Sequence, residues 1–227
     1  MTNIKKKLII FDCDGVLVDS ESLACSISLA FLETVGVRMS AEENIRLLTG
    51  LSEASSRAVL EAKFQISLPI DFHSKQREMF MERCKTELKG LMEPVLKEIK
   101  MLDVSFCVAS SSNRDRVLSS LSLTNQLQFF KESHIFTASQ VKNGKPAPDL
   151  FLFAANEMAV SPADCLVIED SFAGVQAAKS ANMKVIGFLG GGHAKHLWDE
   201  QRIVNEKIPF SHDCSHLIEQ IRHFMKE

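Results

Sequence analysis

The amino-acid sequence predicts an α/β fold, a doubly wound parallel sheet with a separate α-helical module inserted into it. Three observations lead to this prediction. Residues 8–11 are large, apolar and consecutive, and such a run without alternation is typical of a strand buried on both faces of a parallel sheet. About 70 residues of helical pattern follow without a strand pattern. From residue 90 onwards, strand and helix patterns alternate, as they do in doubly wound sheets.

The composition is that of an ordinary globular protein, with 45% hydrophobic and 24% charged residues in a chain of 227. The net charge of −3 gives no electrostatic reason to expect nucleic acid or an anionic membrane as a partner. The six cysteines include no C-x-x-C pair, which favours reduced thiols over disulfides or a zinc site. The first apolar run is too short for a signal peptide, and no stretch reaches membrane length. We expect a cytoplasmic protein that is a monomer or a weak dimer.

The inserted module is predicted to consist of four helices. The first has apolar residues at helical spacing and ends near Gly36, a residue that suits a helix end. The second begins at Ser40, because Ser40 and Glu43 have the spacing of a capping box. The four helices are expected at residues 22–35, 40–49, 53–64 and 72–88.

The rest of the chain is predicted to complete the sheet. Strands are expected at residues 105–109, 134–136, 165–168, 184–188 and 208–210. Helices are expected at residues 94–101, around 117–121, and at 149–158, 173–181 and 215–225. Right-handed crossovers place the carboxyl ends of all parallel strands on one edge of the sheet, where open α/β sheets bind ligands.

Pairs of carboxylates follow two of the predicted strands. Asp12 and Asp14 come directly after the first strand, and Glu169 and Asp170 follow the strand at 165–168. Carboxylates this close repel each other unless a cation offsets their charge. Mg²⁺ prefers such oxygen ligands together with water and substrate phosphate. A solvated turn is the alternative for Asp12 and Asp14, since Asp and Gly are ordinary turn residues.

Hydroxyl groups and one lysine are expected at the same edge. Ser110 and Ser111 precede a predicted helix, where hydroxyls and free backbone N–H groups form an anion site. Lys145 lies in a loop that can aim its ammonium group inward. Together with the carboxylates, these residues suit a phosphoryl group bound beside a divalent cation. Taken singly, Ser110 has a helix N-cap as its alternative role, and Lys145 a solvated loop charge.

The order of these motifs resembles the haloacid dehalogenase superfamily. The matching stretches are Asp12-Cys13-Asp14-Gly15-Val16-Leu17-Val18-Asp19-Ser20, Ala109-Ser110-Ser111-Ser112, Lys145-Pro146, and Glu169-Asp170-Ser171 with Gly174. The chain looks most like the branch that contains β-phosphoglucomutase and small sugar-phosphate phosphatases, in which a helical cap follows the first motif. The resemblance implies a catalytic core of residues 1–20 and 90–227 and a cap of residues 21–89.

The resemblance also implies a role for each carboxylate. Asp12 would attack phosphorus and form an aspartyl-phosphate, and Asp14 would act first as general acid and then as general base. Mg²⁺ would be the cofactor, with Asp12 and Asp170 as carboxylate ligands and the backbone carbonyl of Asp14 as a third. Glu169 would bind the metal directly or through water.

Four further positions would bind the substrate. Ser110, Ser111 and Lys145 would hold the phosphoryl oxygens. Gly50 would let the loop of the cap approach the substrate closely, because glycine imposes no side chain there.

Asp14 and the cap residues narrow the reaction class. Asp14 favours phosphoryl transfer, because a dehalogenase needs no acid for a halide leaving group. The mutases carry a histidine where this chain has Ala24, and basic residues where it has Thr49 and Glu53. The sequence therefore favours a Mg²⁺-dependent phosphatase acting on a small phosphorylated metabolite, a sugar or sugar-acid phosphate. A β-phosphoglucomutase-type mutase is the first alternative, and a non-catalytic binding protein with this fold is the second.

Overall fold

The computed structural model describes residues 6–48, 53–192 and 203–227. These residues form a six-stranded sheet in the order β3-β2-β1-β4-β5-β6, in which every neighbouring pair is parallel. The strands are β1 Leu8–Phe11, β2 Ser105–Ser110, β3 Ile135–Thr137, β4 Cys165–Glu169, β5 Lys184–Phe188 and β6 Phe210–Ser211. The predicted doubly wound parallel sheet is confirmed.

Helices flank this sheet and also make up the segment between β1 and β2. They are α1 Ser20–Thr34, α2 Ala41–Leu48, α3 Glu53–Phe64, α4 Phe72–Glu87, α5 Glu93–Met101, α6 Arg114–Leu123, α7 Asp149–Glu157, α8 Phe172–Ser180 and α9 Cys214–Lys226. The described part of the segment between β1 and β2 contains α1–α5 and no strand. The inserted helical module is therefore present, and its first helix begins two residues before the predicted start at residue 22.

Strand β1 contributes side chains to a hydrophobic core on each face of the sheet. Ile9 and Phe11 pack with α5, α6 and α9, whereas Leu8 and Ile10 pack with α7 and α8. All four side chains are fully buried, because successive residues of a strand point to opposite faces. Burying each of them contributes about 1.5–3 kcal/mol. Both cores hold β1 in place, and this fixes the position of Asp12, the residue that follows it.

The inserted helices also have a hydrophobic cluster of their own. Leu32, Leu60, Leu68 and Phe72 are buried together between α1, α3 and α4. The ring of Phe72 meets that of Phe31 edge to face, with ring centroids 5.9 Å apart. Such an arrangement is a favoured one for aromatic pairs. Leu47 and Leu48 of α2 pack against the same cluster, so α1–α4 share a core that is separate from the two cores of the sheet.

Two adjacent chain connections join these helices to the sheet. Asp19 N–H donates to the carbonyl of Lys89 at 2.9 Å, and Leu91 N–H donates to the carbonyl of Leu17 at 2.8 Å. The chain thus leaves and re-enters the sheet layer at one place. The division into a cap of residues 21–89 and a core of the remaining residues stays a prediction.

Some predictions concern local detail. Ser40 Oγ accepts a hydrogen bond from Glu43 N–H at 3.1 Å, as the capping box requires. The Glu43 carboxylate lies instead against Lys63 Nζ, at 2.7 Å. The substrate-binding prediction for Gly50, with its neighbour Thr49, lies outside the described residues. No helix in the described ranges has the length and apolar character needed to cross a membrane.

Candidate active site

Three neighbouring strands end beside one another at the candidate active site. In the register of the sheet, Phe11 lies opposite Val108 of β2 and Ile168 of β4. Asp12 follows Phe11, and its N–H donates to the carbonyl of Ile168 at 3.0 Å. Asp12 therefore lies at the carboxyl edge of the sheet, between the ends of β2 and β4, where ligands of such sheets bind.

The structure brings three of the predicted carboxylates together. Asp12, Glu169 and Asp170 each offer an oxygen within 4.8 Å of the other two. Glu169 is fully buried, and Asp12 and Asp170 are each 8% exposed. Burial raises the pKa of Asp12 well above its usual range; the charge of Lys145 opposes this rise, and Glu169 and Asp170 add to it. The site therefore concentrates negative charge where solvent cannot screen it.

Lys145 is the cation placed against this cluster. Its Nζ lies 2.7 Å from Asp12 Oδ1 and 2.7 Å from Glu169 Oε1, and it donates to the carbonyl of Ala109 at 3.1 Å. Its side chain is only 4% exposed. Burial lowers the pKa of Lys145, but the Asp12 and Glu169 charges outweigh burial and raise it above the usual range. The alternative of a solvated loop charge is therefore wrong for Lys145.

The cluster fits a hard divalent cation. The cluster contains three carboxylates and one lysine, which contacts two of them, so the described cluster keeps an excess of negative charge. Oxygen donors without sulfur or nitrogen suit Mg²⁺ rather than a softer metal. Asp12, Glu169 and Asp170 would hold the ion. The carboxylate of Asp14 lies outside this group, and the metal contact expected from its backbone carbonyl stays a prediction.

Asp14 is held by three donors. Ser20 Oγ donates to its Oδ1 at 2.5 Å, Ser112 Oγ donates to its Oδ2 at 2.6 Å, and Arg116 Nη2 lies 3.0 Å from Oδ1. Burial raises the pKa of Asp14, but the charge of Arg116 and the two hydroxyl donors outweigh it, so the pKa is lowered. The structure therefore shows Asp14 as a fixed carboxylate rather than a solvated turn residue.

The two serines that follow one another at the end of β2, Ser110 and Ser111, differ in burial and in contacts. Ser110 is 1% exposed, and its Oγ accepts from Ser112 N–H at 3.1 Å. The N-cap of α6 is Asn113, whose side chain accepts from Arg116 N–H at 2.9 Å. The N-cap alternative for Ser110 is therefore wrong. Ser111 is exposed beside it, and binding of phosphate by these two serines remains a prediction.

Glu169 is positioned by the turn that follows β4. Its Oε2 accepts from Ser171 N–H at 2.8 Å and from Ser171 Oγ at 2.9 Å, while its Oε1 faces Lys145. A Cβ atom on Gly174 would fall 1.8 Å from Glu169 Oε1. Glycine at 174 is therefore required for the buried carboxylate to lie against the first turn of α8.

Comparison with known proteins gives the family. The family model described as haloacid dehalogenase-like hydrolase matches residues 9–188, which contain the described site residues. The chain belongs to this family. The resemblance drawn from the motifs is therefore confirmed.

Curated relatives of this haloacid dehalogenase-like protein carry several names. It is 34% identical over 188 residues to "Probable pseudouridine-5′-phosphatase" of Drosophila melanogaster, covering 78% of this chain and 79% of that protein. It is 31% identical over 191 residues to "Beta-phosphoglucomutase" of Bacillus subtilis, covering 80% and 82%. It is 31% identical over 207 residues to "Bifunctional riboflavin kinase/FMN phosphatase" of Arabidopsis thaliana. That match covers 87% of this chain but only 53% of the longer protein.

A solved structure shows the same architecture. The HAD family hydrolase of Deinococcus radiodurans R1, determined with bound phosphate and sodium, superposes with a TM-score of 0.88 at 26% identity. The match covers 98% of this chain and 97% of that one. The helical module and the sheet of this haloacid dehalogenase-like protein thus recur together in a known structure.

Arg116 is the site residue that the sequence did not indicate. It lies on α6, pairs with Asp14, and its guanidinium carbon is 5.1 Å from the ring centroid of Phe80 on α4. A guanidinium over an aromatic face is an attractive contact. Arg116 therefore joins the core of this family member to its inserted helices. The sequence carried no local signal for it, because its partner Asp14 lies 102 positions earlier in the chain.

A cavity of about 810 Å³ adjoins this residue. It lies between the inserted helices α1–α4 and helix α6 of the core, and Arg116 forms part of its wall. Ala24 and Glu53, which differ from the mutase pattern, also line it. In this haloacid dehalogenase-like protein, the cavity is therefore linked to Asp14 through Arg116, which contacts both.

Proposed function

We propose that the protein is a Mg²⁺-dependent phosphatase that hydrolyses a small phosphorylated metabolite through an aspartyl-phosphate at Asp12. One observation carries the proposal: Asp12 lies 2.7 Å from a buried lysine, beside Glu169 and Asp170, at the carboxyl edge of a parallel sheet. A solvated turn or a structural ion pair does not require three clustered, buried carboxylates, two of which contact one ammonium group. Relatives named as phosphatases support the reaction class.

The residues can divide the reaction into two displacements. In the first, Asp12 Oδ attacks phosphorus as the ester oxygen leaves, and Asp14 gives that oxygen a proton. In the second, Asp14 takes a proton from water, which attacks phosphorus and frees Asp12. Lys145 and Ser110 would hold the phosphoryl oxygens during both displacements. When bound, Mg²⁺ would offset the negative charge of the phosphoryl group and of the carboxylates.

Asp14 must reorient and take up a proton before it can act as general acid, because its present partners lower its pKa and favour the carboxylate. Its carboxylate is held by Ser20, Ser112 and Arg116, and a proton donor must lie within hydrogen-bond reach of the leaving oxygen. Arg116 touches α4 through Phe80. A shift of the inserted helices over a bound substrate would therefore act on the partner of Asp14, in the manner of enzyme lids.

The test is release of p-nitrophenol from p-nitrophenyl phosphate. Activity should disappear in EDTA and return with Mg²⁺, and Asp12→Asn should lower turnover by about a thousandfold or more. Asp103→Asn is the matched control, because Asp103 is exposed and its φ of 53° suits asparagine. Undiminished turnover by Asp12→Asn, in protein free of contaminating phosphatase, would refute the proposal.

A mutase remains the second candidate, because the chain is 31% identical to a β-phosphoglucomutase. The structure adds that Glu53 is in contact with Arg77, so its charge is partly offset. A mutase must nevertheless hold a second phosphate, and Ala24 supplies no charge for it. An NMR time course with β-glucose 1-phosphate and its bisphosphate separates the two functions. Faster growth of glucose 6-phosphate than of free phosphate would identify a mutase.

A further inference from the structure

The cavity between the inserted helices and α6 is in position to receive the organic part of the phosphate ester. Glu21 and Asn113 line it, and each directly follows a serine that donates to Asp14. Arg116 both lines the cavity and contacts Asp14. A group leaving phosphorus beside Asp14 therefore extends into this space. Its volume of about 810 Å³ is near the upper end of ordinary ligand pockets and exceeds the needs of a hexose.

The charges around the cavity disfavour a second anionic group. Its arginines are each already in contact with a carboxylate, Arg77 with Glu53 and Arg116 with Asp14. Glu21 and Asp115 add two further carboxylates to the described wall. A carboxylate or second phosphate on the substrate would meet this excess of negative charge, because the charge of each arginine is already offset by its carboxylate partner. The charge of the wall therefore favours an uncharged organic part over a sugar acid or a bisphosphate.

Much of the remaining wall is apolar. Ile27, Ile45, Leu48, Leu60 and Phe80 contribute side chains from all four inserted helices. A sugar presents hydroxyl groups around its ring and would leave them facing these residues without partners, which costs free energy. A flat ring with apolar faces loses nothing in such contacts and gains from leaving water. The wall therefore favours a planar ring over a second sugar.

Two buried polar atoms of the wall, His73 Nε2 and Arg116 Nε, have no hydrogen-bond partner among the described residues. Arg116 Nε carries a hydrogen and needs an acceptor such as a substrate hydroxyl, whereas the need of His73 Nε2 depends on the tautomer of the ring. The other ring nitrogen, Nδ1, lies 3.1 Å from Gln76 Oε1. Since an amide oxygen only accepts, Nδ1 carries the proton in this arrangement, and Nε2 is left as an acceptor. A ligand that supplies an N–H donor would satisfy it.

We propose that the cavity binds a flat, uncharged heterocycle that donates an N–H to His73, so that the substrate is a nucleoside monophosphate with an imide-type base. This inference rests on the proposed phosphatase function and narrows the sugar or sugar-acid phosphate expected from the sequence. The base lies between α1–α4 and α6, the ribose lies near Arg116, and the phosphate lies at Asp12.

The test compares uridine 5′-monophosphate with ribose 5-phosphate, which carries a hydroxyl group in place of the base. Uridine 5′-monophosphate should have a kcat/KM higher by about tenfold or more, because the ring is buried and its N–H is paired. Blocking that N–H in 3-methyluridine 5′-monophosphate should remove most of the advantage. His73→Phe should also remove most of the advantage in kcat/KM. In that variant, the methylated and unmethylated nucleotides should have equal kcat/KM, because both changes remove the same contact. His216→Phe, an exposed histidine on α9, is the matched control and should keep the full preference.

The outcomes separate this inference from the proposed function. Equal kcat/KM for uridine 5′-monophosphate and ribose 5-phosphate, with p-nitrophenyl phosphate still hydrolysed, would overturn the heterocycle alone. If His73→Phe does not fold, the methylated nucleotide tests the same contact on the unaltered enzyme. If no ester is hydrolysed, the proposed phosphatase function is wrong. Calorimetry with uridine 5′-monophosphate and ribose 5-phosphate then tests whether the cavity binds the heterocycle. Tighter binding of the nucleotide supports the inference, and equal binding contradicts it.

Discussion

Replacing Lys145 with methionine should reveal how much stability its buried ammonium group provides. The change keeps an unbranched side chain but removes the cation that lies 2.7 Å from both Asp12 and Glu169. Breaking a buried ion pair costs about 3–5 kcal/mol, because the partners remain buried and unpaired. In a chain of 227 residues, such a loss corresponds to a fall in melting temperature of about 6–20 °C.

The assay is thermal unfolding in EDTA and again in excess Mg²⁺. Mg²⁺ bound to the carboxylates should offset part of the lost lysine charge, so Lys145→Met should lose less stability with Mg²⁺ than in EDTA. A concentration one hundredfold above the dissociation constant stabilises a protein by about 2.7 kcal/mol. Lys142→Met, an exposed lysine in the same loop, should melt like the unaltered protein in both buffers.

Two results would refute this reasoning. If Lys145→Met melts like Lys142→Met in EDTA, the three carboxylates do not depend on the lysine. If its deficit is the same in both buffers, Mg²⁺ does not offset the lost lysine charge at these carboxylates. Neither result depends on the identity of the substrate.

Three further variants test other parts of the site. Gly174→Ala should displace Glu169, because the added Cβ falls 1.8 Å from Oε1, and a Mg²⁺ titration of p-nitrophenyl phosphate hydrolysis should show a higher metal requirement. Asp170→Asn should raise that requirement too, with the fold intact by circular dichroism, because one charged ligand is lost. Asn113→Ala removes the N-cap of α6 and should cost about 1 kcal/mol in urea unfolding. An unchanged metal requirement in the first two variants, or an unchanged urea midpoint in the third, would contradict these assignments.

The elements that could be predicted from sequence are those with strong local patterns. Strand β1 was predicted with its observed bounds, because four consecutive apolar residues indicate a strand that is buried on both faces. Helix α3 was also predicted with its observed bounds, whereas β6 lies at Phe210–Ser211 rather than at 208–210. That strand is only two residues long and is defined by its pairing with β5. Short pairings of this kind have no periodicity to detect.

The site residues that follow strands could be predicted from the sequence. The contacts between distant segments of the chain could not. Asp12, Glu169 and Asp170 follow strands, so the topology alone brings them together. The contact of Arg116 with Asp14 joins residues 102 positions apart, and nothing in the local pattern of α6 marks it. The contacts of Lys145 with Asp12 and Glu169 could not be predicted either. Lys145 lies in a loop, and a loop has no periodicity from which the direction of a side chain could be inferred.

The place of β1 between β2 and β4 has a consequence for how this protein folds. Leu8 pairs with Ser105 on one side and with Cys165 on the other, so the strand gains its neighbours only after distant parts of the chain return to it. Such non-local pairings are slow to form, whereas contacts between successive helices form early. In refolding followed by hydrogen exchange, the amides of α1–α4 should become protected before those of β1. The loop closures that complete the sheet are also the steps that bring Asp12 to Glu169, so the capacity for chemistry should appear last.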